Sequence, residues 1–318
     1  MTTDQAQAAR GATHVETILK GELARGDRAL HGVAPVLSHL LASSGHSLVS
    51  DAIVARLRGM LSDLALQLLS AEHPDRPGHL LDASKQDALA DHLAGDSTVL
   101  SHCYALAMEG HLTERFEQRA SIDPVLTPLM QELIASDQPL VAELAMSAMA
   151  AQSRFMQSQR RMDMPLAELP ADLFHSVIQR FEGFGDNTEG GSTKASISAL
   201  KYSYDEGASR AGLLARLISA MQQGARAALE LDHAGLALFA SGLSALTRQP
   251  RELGILACHE HQAARFALSL RAAGLDVPSI ERQFLLVEPA QRLPLGLGDI
   301  SVERAAALLG QTGTRAAG

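Results

Sequence analysis

QELIASDQPLVAELAMSAMAAQSRFMQSQRRMDMPLAELPADLFHSVIQRF, residues Gln131–Phe181, reads as three helices in succession. Asp137-Gln138-Pro139 and Leu169-Pro170 each set a proline near the start of an apolar-periodic run, as does Asp123-Pro124 upstream. Proline suits a first helical turn, because the N–H it lacks would have had no intrahelical partner there. From Pro139 to about Arg161, Val141, Ala145, Ala148, Phe155 and Met162 fall on one side, flanked by Leu144, Met149 and Met156. Glu143, Ser147, Arg154, Gln157 and Arg161 form the other side. A two-faced helix of this kind gains its stability by burying the stripe against neighbours, since intrinsic propensity alone is marginal. Leu173, Phe174, Val177, Ile178 and Phe181 repeat the pattern in a shorter helix ending at Gly183.

Outward from this stretch the same periodicity recurs. Val49, Ile53, Leu57, Leu61, Leu64 and Leu68 form one stripe, with Asp51, Arg58 and Asp63 largely off it, and His73–Gly78 carries the prolines that stop that helix. Helical patterns are expected at 33–41, 82–93, 96–119, 195–231, 233–246 and 250–273, with Gly274 as a C-terminal cap, and shorter ones at 279–287 and 302–309. The first few residues and Gln311–Gly318 are small and polar and are expected to fray. Phe184–Lys194, FGDNTEGGSTK, reads as a flexible loop. It divides the expected organisation into an N-terminal helical domain, 1–183, and a C-terminal one, 195–318, which are allowed to pack as one unit.

Composition agrees with helices. Hydrophobic residues make up 46% of the chain, yet aromatics are only 3% and tryptophan is absent. The apolar content is therefore carried mainly by Ala, Leu, Val and Met, of which Ala, Leu and Met are strong helix formers, whereas strands draw on β-branched and aromatic residues. Ser136–Val141 and Thr247–Glu252 each join an apolar helix to the next through a short polar turn and a proline, the join used by helical-repeat proteins. No regular period extends through the chain. The expected fold is all-α: stacked antiparallel helices, HEAT-like or an irregular α-solenoid.

Arg56–Leu69 (RLRGMLSDLALQLL), Leu144–Pro170 and His233–Ser301, the last including HAGLALF at 233–239, QPRE at 249–252 and LRAAGL at 270–275, carry a resemblance that covers most of the chain. In these segments the sequence resembles an uncharacterised family of helical bacterial proteins, a domain of unknown function. The resemblance implies an all-α, HEAT-like fold in a bacterial cytoplasm, and it brings no activity and no functional residues.

The formal net charge of −9 disfavours nucleic acid, whose affinity rests on phosphate neutralisation by Lys and Arg. Two cysteines, Cys103 and Cys258, are too few for a disulfide framework and suit a reducing compartment. The N-terminal stretch has no signal-peptide core, and no segment reaches the roughly 18–20 apolar residues that span a bilayer. A cytoplasmic protein without a membrane partner is expected, and a homodimer is compatible with helical stacking.

Few constellations suggest chemistry. Cys258-His259-Glu260-His261 offers thiolate and imidazole ligands, and Cys258 and His261 would share a helical face, but His259 would point elsewhere. The spacing fits neither the HExxH metalloprotease pattern nor the zinc-deaminase signature, so a buried cysteine beside surface histidines is the expected state. No nucleophile elbow, kinase motif or dinucleotide fingerprint occurs, and neither catalysis nor a cofactor is expected. The surface feature that stands out is Arg154, Gln157, Arg160 and Arg161, with Arg154 and Arg161 seven apart on one side of a helix. Arginine at that spacing suits bidentate capture of a carboxylate or phosphate, or of a partner protein's acidic face. The leading expectation is a non-enzymatic interaction module with a protein partner, a regulatory role being compatible with it. A small-ligand or metal-binding regulator using Cys258, His259 and His261 is the alternative.

Overall fold

A computed structural model describes residues 3–42, 51–72, 82–184, 190–259, 262–288, 293 and 296–313. The fold is all-α, with fourteen α-helices and no strand among the described residues. No helix of the described residues is long and apolar enough to cross a membrane.

By compactness the chain divides into two units that interleave in sequence. One comprises 1–32, 111–149 and 214–318, and the other 33–110 and 150–213. The expected boundary at 184–194 therefore falls inside the second unit. The supposed loop is also shorter than expected, because a helix begins at Gly190, while 185–189 lie outside the described residues. Chain order misleads here because each unit is assembled from segments distant in sequence.

The first unit is built around α10 (Leu231–Thr247). From Ala234 to Leu243 every residue of α10 is buried, so the helix is apolar all round, as an interior helix must be. Phe239 meets Phe266 of α12 (Ala263–Ala272) with ring centroids 6.0 Å apart, and Phe266 meets Phe284 of α13 (Val277–Val287) at 5.7 Å. Gly235 interrupts α10 with φ +70°, a left-handed conformation cheap only for glycine, and a Cβ there would stand 2.5 Å from Thr127 Cγ2. Gly235→Ala is expected to lower stability by about 1–3 kcal/mol in thermal unfolding, while Ala234→Gly, one residue away, lacks both strain and clash.

In this unit the part of α1 (Thr3–Ala42) that ends at Gly32 buries Val15, Leu19 and Leu23 on one stripe. Two ion pairs fix the same segment, Glu16 with Arg304 and Asp27 with Arg265, and Gln262 Nε2 donates to Gly26 O at 3.0 Å. Hydrogen bonds from Arg304 and Lys20 hold the Glu16 carboxyl at about 2. Helix α1 begins at Thr3, and Met1 and Thr2 lie outside the described residues.

The second unit realises the α2 (Asp51–Glu72) stripe closely. Ile53, Leu57, Met60, Leu61, Leu64 and Leu68 are buried, whereas Asp51 and Arg58 are exposed and Asp63 is half-buried. Val49 and the expected proline stop at 73–78 lie outside the described residues. α7 (Ala171–Phe184) buries the five residues its pattern predicts.

Asp96, between α3 (Ala83–Ala94) and α4 (Ser97–Ala120), joins three helices of this unit. Its Oδ1 accepts from Thr98 N at 2.9 Å, and its Oδ2 accepts from Ser176 Oγ at 2.7 Å and Arg180 Nε at 3.1 Å, both on α7.

Two expected helices are interrupted for reasons outside local propensity. The run 195–231 is broken at 204–209, where Tyr204 stacks on Phe174 at 4.0 Å and its hydroxyl donates to Leu169 O at 2.7 Å. The run 250–273 splits into α11 (Arg251–Ala257) and α12. There Arg115 Nη2 donates to Cys258 O at 3.2 Å, taking a carbonyl that a continuous helix would have used. Met162, expected on the apolar side of α6 (Pro139–Arg161), instead ends that helix with φ +61° and is 38% exposed.

Candidate functional site

α6 ends in the second unit with four of its polar residues facing solvent: Arg154, Gln157, Arg160 and Arg161 are all exposed. The amphipathic pattern explains this directly, since Ala151, Met156 and the side chains around them take up the buried face. Arg154 and Arg160 have no ion-pair partner among the described residues, whereas Arg161 Nε donates to Asp163 Oδ2 at 2.6 Å. Cationic side chains in a last helical turn also complement the helix dipole, which accounts for part of the placement of Arg160 and Arg161. Arg154, two turns upstream, is not accounted for in that way.

The turn that follows is held firmly against α2. Asp63 Oδ2 accepts from Met164 N at 2.8 Å and from Gln67 Nε2 at 2.7 Å. Gln67 Nε2 also donates to Met164 O at 2.8 Å, and Gln67 Oε1 accepts from Leu166 N at 2.9 Å. Burial pushes the Asp63 carboxyl above the ordinary range, helped by nearby Asp163 and opposed by the Met164 N–H. A carboxyl raised on folding contributes stability below its unfolded pKa of about 4 and loses that contribution as pH rises through the folded value. Asp63→Asn, whose Oδ1 can accept both bonds, is therefore expected to be more stable than wild type at neutral pH. The gap should close on acidification, as chemical unfolding at several pH values will show.

Met162 caps this end of α6 against Gly59 of α2, where an added Cβ would stand 2.5 Å from Met162 Cβ. Gly59 is also on the wall of a cleft of about 500 Å³ between α2 and α3. Arg58, Leu61 and Ser62 of α2 and Asp87, Ala90 and Asp91 of α3 line it. Gln86 Nε2 donates to Ser62 Oγ at 2.8 Å and fixes the two helices together beside the cleft. The arginine-bearing end of α6 thus adjoins a concave surface that depends on α2 and α3 lying side by side.

Elsewhere in this unit lies a polar group wholly inside the protein. Arg210, at the start of α9 (Arg210–Met221), makes a bidentate pair with Glu109 of α4 at 2.8 and 2.7 Å. Its Nη1 also donates to Gln152 Oε1 at 2.9 Å, and its guanidinium lies 3.7 Å from the Phe155 ring centroid. Side-chain exposures of 4% for Arg210 and 0% for Glu109 place the pair in the core, out of reach of a partner.

Of the alternative based on Cys258, His259 and His261, the first two residues are described. Cys258 is fully buried, its thiol donates to Gly254 O at 3.5 Å, and burial pushes the thiol up to about 12 despite Arg115 nearby. Cys258 follows the last turn of α11, and Gln262 stands just before α12, so the expected continuous helix that would have placed Cys258 and His261 on one face is absent. His261 lies outside the described residues. Among the described residues no group of three or more His, Cys, Asp or Glu side chains could hold a metal ion. Cys103 is likewise buried and its thiol is pushed up to about 12 by burial. Cys258→Ser is expected to leave the metal content of untagged protein unchanged; stoichiometric zinc lost in that variant would restore the metal reading.

Comparison with known proteins adds no relative. No family model, curated protein or solved structure matches the chain.

Proposed function

We propose that the chain is a non-enzymatic protein-interaction module of helical-repeat type, HEAT-like in its chemistry, acting as a regulatory scaffold in a bacterial cytoplasm. The observation that carries this reading is the exposure of Arg154, Gln157, Arg160 and Arg161 together at one end of α6, beside the α2/α3 cleft. On a protein of net charge −9, a local cationic edge attracts an acidic partner while the surrounding charge discourages non-specific contact. Gln157, between Arg154 and Arg161, adds a neutral donor and acceptor at the centre of the edge. Both thiols are sealed in the core, which leaves neither of them available as a nucleophile. The partner is a protein, no cofactor is invoked, and a homodimer is the simplest self-association to test alongside it.

Arg154→Ala combined with Arg161→Ala is expected to reduce capture of a partner from cell lysate at least tenfold with unchanged far-UV circular dichroism. Equal capture by this variant and wild type would remove these residues from the reading.

A further inference from the structure

The cleft beside the arginine edge has walls of opposite sign, and this constrains what can lie there. Asp87 and Asp91 stand on the α3 wall, exposed and four residues apart, a separation of about 6 Å along a helix. Neither has an ion-pair partner among the described residues. Arg58 stands on the α2 wall, and beyond Gly59 lies Met162, which leads back to Arg161 and Arg154. Gly59, Leu61 and Ala90 give the cleft a small, partly apolar lining.

We infer that the partner segment received here is dipolar: a helix with a carboxylate edge facing Arg154 and Arg161, and a lysine or arginine side chain seated in the α2/α3 cleft against Asp87 and Asp91. This rests on the interaction reading above and names the partner's chemistry. A long cationic side chain has an apolar stem and a charged head, which match the Ala90 and Ala94 surface and the two carboxylates respectively. A cleft of about 500 Å³ accommodates such a side chain with room for the backbone that carries it. A polyanion satisfies only the arginines: phosphates lying beside Asp87 and Asp91 are repelled locally, and by the net charge of −9 as a whole. Charges of both signs on one surface also fix the direction in which a helix lies, because the reversed orientation sets like charges against each other.

The test uses the full chain, with folding verified by circular dichroism. A carbodiimide that joins carboxylates directly to amines is applied to the captured complex, and linked peptides are read by mass spectrometry. In parallel, capture is measured for Asp87→Lys/Asp91→Lys, for the milder Asp87→Asn/Asp91→Asn, and after nuclease treatment. Links from the segment containing Asp87 and Asp91 to a partner lysine or, for an arginine partner, no such link but a tenfold or greater loss of capture in the lysine variant, with a smaller loss in the asparagine variant, support the inference. Wild-type capture by the lysine variant, with capture still lost in Arg154→Ala/Arg161→Ala, overturns the dipolar occupant and leaves the interaction reading standing. Capture unaffected by either pair of substitutions overturns both. Capture abolished by nuclease overturns the inference in favour of nucleic acid.

Discussion

Arg210→Ala is expected to lower the unfolding free energy by about 3–5 kcal/mol, the loss that follows when one half of a buried ion pair is left behind. The geometry places the variant at the upper part of that range. Glu109 is fully buried and receives two of the guanidinium's hydrogen bonds, at 2.8 and 2.7 Å, so its charge would be left in the interior. Gln152 would lose the donor at 2.9 Å, and Phe155 the cation over its ring. Glu109→Met/Arg210→Met removes the stranded charge along with its partner, and is expected to recover most of the loss. That contrast separates charge compensation from simple packing. Denaturant unfolding of the two variants measures it, with binding through Arg154 and Arg161 expected to persist in the double variant.

Asp96→Ala should be the next most damaging change, by about 2–3 kcal/mol, combining a lost helix N-cap with the loss of hydrogen bonds from Ser176 and Arg180. Acid sensitivity gives this prediction a distinct signature. Burial disfavours the ionised form of Asp96, but the hydrogen bonds from Thr98, Ser176 and Arg180 outweigh it and hold the carboxyl well below the usual range. A carboxyl lowered on folding contributes stability above its unfolded pKa of about 3.9 and loses it as pH falls through the folded value. Wild type should therefore lose this stabilisation below about pH 4, where Asp96→Ala has none to lose. Stability curves that run parallel down to acid pH would remove Asp96 as the source.

The helices were legible wherever one face alone decides burial. The α2 stripe from Ile53 to Leu68 and the α7 set from Leu173 to Phe181 are buried as their spacing requires. The α6 bounds at Pro139 and Arg161 follow from the proline and the end of the pattern. What the sequence concealed depends on partners distant in the chain. Gln152 and Gln159 interrupt an apolar face with amides, and Gln152 makes sense only beside Arg210, fifty-eight residues later. The break between α11 and α12 has no glycine or proline to announce it, and Arg115 takes the Cys258 carbonyl from more than a hundred residues away. For the candidate site, the exposure of Arg154, Gln157 and Arg161 was readable from periodicity. The adjoining cleft, which needs α2 and α3 side by side, was not. At the cysteine–histidine cluster the buried state expected for Cys258 is the one found, and His261 lies outside the described residues.

The most direct measurement is site-specific photo-crosslinking from position 157, the exposed residue between Arg154 and Arg161, compared with the same probe at exposed Glu281 on α13. One dominant protein adduct from position 157, weakened by salt and absent from position 281, is the predicted result. Identical adduct patterns from the two positions, or no adduct from position 157, would contradict an interaction surface at the end of α6.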